Sequence, residues 1–177
     1  MPRFTVESTY HLPVYRHRAY NAATARIAEL AGMVPVQIEA AELSQALATG
    51  VAEAFISSGS TGVDSKVWES LTHFYDVQAW LPRNTVFVNK DAYNALDDAG
   101  KAALMDCGAK AGAAGTARAK ELTDQYLKTL AENGMKVAPP SDGLKAELQG
   151  FGATMTDEWL AGAGDAGKAI IDAYKAQ

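Results

Sequence analysis

The sequence predicts a helix-rich α/β domain, on three observations. Strand-like and helix-like patterns alternate closely between residues 18 and 56. A long alanine-rich helical stretch begins at Asp97-Asp98, and further helices follow it. The 177 residues, 48 % hydrophobic, are enough to bury one sizeable core but not two full lobes.

From Arg18 the pattern is regular. Ala19 and Tyr20 end a short extended piece, Asn21 is the N-cap, residues 22–31 are rich in strong helix formers, and Gly32 stops the helix. VPVQI, 34–38, alternates as a half-buried strand with its proline near the start or on an edge. AAELSQALATG is a short helix with Leu43, Ala46 and Leu47 inward, and VAEAFI, 51–56, is the next strand. Such alternation favours a parallel or mixed sheet covered by helices. SSGSTG, 57–62, is a loop by composition, and Asp64 or Ser65 begins a helix carrying Val67, Trp68 and Leu71.

RNTVFVN contains the most strand-like run of the chain, at 85–88. Asp97 and Asp98 open a helical stretch to about Glu132, with a break at GAAG, 112–115. Asn133-Gly134 turns it into the short strand MKVAP, a helix follows over 142–159, and AGAGDAG separates it from a last helix ending at Tyr174. The first seventeen residues, with the runs FTVES and LPVYRH and with Pro13 in the second, form an irregular arm or an edge strand. So many helices over so few strands need a further surface to cover, either a partner lobe or a second copy.

Sixteen basic residues against twenty-one acidic ones give a formal charge of -5, which argues against a broad nucleic-acid-binding face but leaves room for a small anion site. The start of the chain lacks the apolar core and cleavage pattern of a signal peptide, and no run reaches the length of a membrane span. Cys107 is the single cysteine, so an internal disulfide and a thiolate metal cluster are excluded; it reads as a buried small hydrophobe, with a reactive thiol as the alternative. His11, His17 and His73 show no metal-ligand spacing, and no nucleophile elbow, dinucleotide fingerprint or Walker sequence is present. No cofactor and no catalytic activity are therefore expected.

Two features point to anion binding. The hydroxyl-rich SGSTG run follows a strand end, where open α/β sheets place ligands, and its hydroxyl and N–H groups can donate to a carboxylate. Arg18 stands at the corresponding place before the first helix, where a planar guanidinium can grip a carboxylate with two donors. Taken singly, Arg18 reads first as a surface cation and the run as a plain loop; the binding case comes from the two strand ends converging. Trp68, Phe74, Tyr75 and Trp80 cluster as core or as a stacking surface, while Glu53, Asp64 and Asp76 have no spacing that pairs two carboxylates for acid–base work.

RAYNAATARIAELAGMVPVQIEAAELSQALATGVAEAFISS and FYDVQAWLPRNTVFVNKDAYNALDDAGKAAL resemble the solute-binding proteins of tripartite ATP-independent periplasmic (TRAP) transporters, of the dicarboxylate-binding type. The similarity runs from about Arg18 to about Tyr174. It implies a two-lobed flytrap that closes on an organic anion and delivers it to a TRAP-type membrane permease in the periplasm. This chain is similar to the C-terminal half: a three-layer lobe with a small mixed sheet over 18–177, preceded by the arm of 1–17. By the resemblance, Arg18 pairs statically with the ligand carboxylate. Ser57 is the nearest match to a second position, where many members carry an acidic residue and asparagine before proline. Ser58, Thr61 and Asn84 complete the candidate set. The rival is a truncated module that dimerises through the former interlobe face and binds no solute.

Overall fold

The computed structural model describes residues 15–79 and 84–176. Its first sheet has three strands, β1 (Arg16–Ala19), β2 (Val34–Gln37) and β3 (Ala54–Phe55), in the order β2-β1-β3. Both pairings are parallel, with Arg18 opposite Val36 on one side and Phe55 on the other. A second parallel pair joins β4 (His73–Tyr75) to β5 (Lys136–Ala138). The helices are α1 (Ala22–Leu30), α2 (Leu43–Ala48), α3 (Gly59–Asp64), α4 (Lys90–Asn94), α5 (Asp98–Glu132) and α6 (Asp142–Lys175). The architecture is a helix-rich α/β lobe with a small sheet, as the sequence predicts. Arg16 and His17, expected in an arm or edge strand, belong to the central strand instead, while residues 1–14 of that arm lie outside the described residues.

Local chemistry explains the regular first half. Asn21 caps α1: its Oδ1 accepts the Thr24 N–H at 2.8 Å, while Thr24 Oγ1 accepts the backbone N–H of Asn21 in return. This reciprocal box satisfies donors that a helix start leaves unpaired. Gly32, at φ 71, ends the helix in the left-handed region that costs glycine least.

The core gathers Ile38, Leu43, Ala46, Leu47, Ala52, Val67, Leu130 and Met135, with Val36, Phe55, Val63, Trp68, Leu71, Phe74 and Val137 packed against it. It joins both sheets to α2 and to the C-terminal end of α5. Trp68 and Phe74 are thus packing residues, and Trp80 lies outside the described residues. Leu130 is fully buried, a position where truncation to alanine costs about 2–5 kcal/mol.

Several sequence expectations are corrected. The run 57–62 is a loop only at Ser57 and Ser58, because α3 begins at Gly59. Its glycines serve packing: a Cβ at Gly59 would stand 3.1 Å from Tyr126 Cβ, and one at Gly62 would stand 3.2 Å from Leu130 Cδ2. Glycine at this i, i+3 spacing lets α3 lie close on α5. The helix expected from Asp64 or Ser65 is only a 3-10 turn, Val67–Glu69, followed by the unforeseen strand β4. The strand expected over 51–56 is reduced to Ala54–Phe55.

Residues 85–88 form no strand. Val86 is 100 % and Phe87 88 % exposed, since β-propensity expresses packing on a neighbour and none is present among the described residues. Helix α5 runs through Gly112 and Gly115 without a break, about 52 Å long at 1.5 Å per residue, and residues 102–121 are exposed on every side. The AGAGDAG separator survives as a kink in α6 at Gly164, whose φ of 59 and ψ of -154 suit glycine alone, with Gly167 folded back near the Trp159 indole. Arg26 holds α6 to α1 through two bonds to Glu158, at 2.6 and 3.1 Å.

His17 is buried on the opposite sheet face from Arg18, and its Nδ1 is the one buried side-chain polar atom without a hydrogen-bond partner among the described residues. Burial first, and the Arg18 charge second, push its pKa down to about 4 from an ordinary 6.5. Unfolding therefore takes up a proton between these values. The stability His17 contributes is complete above about pH 6.5 and lost by about pH 4, a change on the order of 3 kcal/mol.

Two predictions follow from packing and burial. Replacing Gly62→Leu should lower the urea-unfolding free energy by about 1–3 kcal/mol, because the added side chain meets Leu130 and Val67; an unchanged midpoint would refute the close α3–α5 contact. His17→Leu should narrow the gap between stabilities measured at pH 7 and pH 4. An identical gap in both proteins would show that His17 is not held neutral.

Candidate ligand-binding edge

Because β1, β2 and β3 run in one direction, their carboxyl ends lie along one edge. There β1 leads into Tyr20 and Asn21, β2 into Ile38 and Glu39, and β3 into Ile56, Ser57 and Ser58. Arg18 and Ser57 thus come from neighbouring strands and reach the same edge. The N-terminus of α1 opens beside them, and its partial positive charge favours an anion there.

Arg18 shares the core-side face with Val36 and Phe55, and only 4 % of its surface is exposed. Its Nε donates to the Ile38 carbonyl at 2.8 Å, which draws the guanidinium toward the carboxyl end of β2. The Tyr20 ring lies 4.7 Å from the guanidinium carbon, a cation–π distance. No salt bridge among the described residues includes Arg18. Burial lowers its pKa, partly offset by Tyr20 and Glu39, and an arginine so shifted keeps its charge at neutral pH. The two Nη nitrogens make no hydrogen bond to a described residue, Nε being the one guanidinium donor with a partner there. The geometry is a nearly dry cation whose two Nη donors have no partner among the described residues.

The hydroxyl cluster beside it is already organised. Ser58 caps α3, its Oγ accepting the Thr61 N–H at 3.2 Å and lying 2.7 Å from Ser60 Oγ and 3.1 Å from Thr61 Oγ1. Ser58 and Thr61 thus have a capping role of their own, and Ser57 precedes them at the end of the strand. Asn84 is exposed, outside any strand or helix, and is not brought to this edge by a sheet or helix contact. Among the described residues no group of histidine, cysteine, aspartate and glutamate forms a metal cluster, Cys107 is exposed, and no helix is long and apolar enough to cross a membrane.

Sequence reasoning missed Tyr20, Thr24 and the Ile38 carbonyl. Tyr20 was within reach, because residues two apart in an extended segment share a face and Arg18 and Tyr20 are so spaced. The Ile38 carbonyl carried no signal, since a main-chain acceptor is set by strand register alone.

Residues 18–161 match the family described as bacterial extracellular solute-binding protein, family 7. Among solved structures, the chain is 52 % identical to a marine metagenome TRAP solute-binding protein specific for pyroglutamate, from an unidentified microbe, with a TM-score of 0.93. It is 45 % and 40 % identical to two extracytoplasmic solute receptors of Bordetella pertussis binding pyroglutamic acid, with TM-scores of 0.94 and 0.93. In all three, 98 % of this chain is covered, and it spans 57 % of the length of the structure it matches. A comparison with curated proteins found no match. The chain belongs to family 7 of the bacterial extracellular solute-binding proteins.

Proposed function

We propose that this chain is the anion-gripping part of an extracytoplasmic, non-catalytic receptor that hands a small organic acid to a TRAP-type permease. The observation that carries it is Arg18: a buried guanidinium with no carboxylate partner among the described residues, aimed at the edge where parallel sheets take ligands. A buried cation without a counter-ion is costly, and a bound carboxylate removes that cost. The ligand we favour is pyroglutamate, on the strength of the three relatives at 40–52 % identity. It has one carboxylate on a lactam ring, so this assignment replaces the dicarboxylate expected from the resemblance. Ser57 and its neighbours Ser58 and Thr61 suit the ring's amide, being neutral donors and acceptors. Asn84 stays in the proposed set on the resemblance alone.

A closed site buries most of a small solute, whereas one sheet edge supplies one wall, so the isolated chain should hold the anion weakly. The exposed run 86–88 supports a second reading, a module that pairs with its own copy and binds no solute.

Titration with pyroglutamate, followed by calorimetry and sedimentation, separates the two. Saturable binding that Arg18→Ala weakens by about 100-fold or more supports the receptor, with Arg18→Lys also impaired because an ammonium lacks the planar fork. Unchanged affinity in Arg18→Ala would remove Arg18 from the site. A tight dimer indifferent to pyroglutamate would favour self-association.

A further inference from the structure

We infer that Tyr20 is a positioning residue for the ligand carboxylate, one that acts through Arg18; the inference rests on the carboxylate reading above. A guanidinium can take a carboxylate side-on, through Nε and one Nη, or end-on, through both Nη nitrogens. In this structure the side-on mode is closed, because the single Nε–H is given to the Ile38 carbonyl at 2.8 Å. That bond fixes one point of the fork and leaves rotation about it. The guanidinium carbon lies over the Tyr20 ring, 4.7 Å from its centre, and we take that contact to limit the rotation. Nη1 and Nη2 are left as the paired donors.

The backbone that carries the ring is itself held. The Tyr20 backbone N–H donates to Thr24 Oγ1 at 3.1 Å, and Thr24 is fully buried, with its own N–H on Asn21 Oδ1 at 2.8 Å. The capping box of α1 therefore does two things: it starts the helix and it anchors the residue that orients Arg18. A carboxylate gains from this preorganisation because the long arginine side chain is already ordered before the ligand arrives.

The test compares pyroglutamate and its neutral amide, pyroglutamamide, on the wild-type chain, Tyr20→Phe, Tyr20→Leu and, should the leucine variant not fold, Tyr20→Met. The aromatic variant should bind pyroglutamate within about 2-fold of wild type, and the aliphatic ones about 10-fold more weakly. For the amide, which has no charge for the fork to read, the aliphatic variants should match wild type. Equal pyroglutamate affinity in the aliphatic variants, with Arg18→Ala still impaired, would overturn the role of Tyr20 and leave the carboxylate reading intact. A loss in Tyr20→Phe as large as in Tyr20→Leu would also overturn it, because the hydroxyl and not the ring would then matter. Absence of any pyroglutamate binding by the wild-type chain would overturn both.

Discussion

The bond from Arg18 Nε to the Ile38 carbonyl is the contact around which this edge is built. It joins the central strand to the end of its neighbour and holds a cation in a nearly dry place without an acidic partner within ion-pair distance among the described residues. The consequences spread outward. His17, next along the strand, is kept neutral partly because a second positive charge there would repel the first. Glu39 at the end of β2 raises the arginine's pKa without pairing with it, so the Nη donors stay available.

The rest of the lobe supplies rigidity to that contact. The core ties Ile38 and Phe55 to Leu43, Leu47, Val67 and Leu130, so the strands flanking Arg18 are anchored to α2 and to the end of α5. Gly59 and Gly62 bring α3 close to α5 and thereby fix where Ser57 and Ser58 emerge from β3. A binding site on packed strands and capped helices keeps its geometry better than one on free loops. The distant half of α5 contributes nothing to this, being exposed along residues 102–121.

What the sequence made legible was governed by local chemistry. The Asn21 cap, the Gly32 stop, the inward Leu43, Ala46 and Leu47, and the strand before α1 all follow from interactions within a few residues, and the structure shows each of them. Non-local effects decided the rest. The run at 85–88 has every local mark of a strand but lacks a neighbour to pair with among the described residues. Three-residue β4 is too short to show alternation, and it exists because β5, some sixty residues later, lies beside it. SGSTG looked like a loop because glycine signals a turn, whereas here glycine answers the approach of α5. For the candidate edge, the place of Arg18 before α1 could be read from the chain and the i, i+2 spacing of Tyr20 was there to be read, but the Ile38 carbonyl emerged only from register and rotamer.

The central claim concerns where a carboxylate sits, and a crystal structure of the chain with pyroglutamate tests it most directly. The account predicts both carboxylate oxygens within about 3 Å of Arg18 Nη1 and Nη2, with Nε still on the Ile38 carbonyl. A ligand whose carboxylate lies away from Arg18, or an Arg18 that has left Ile38 to offer Nε instead, would contradict it.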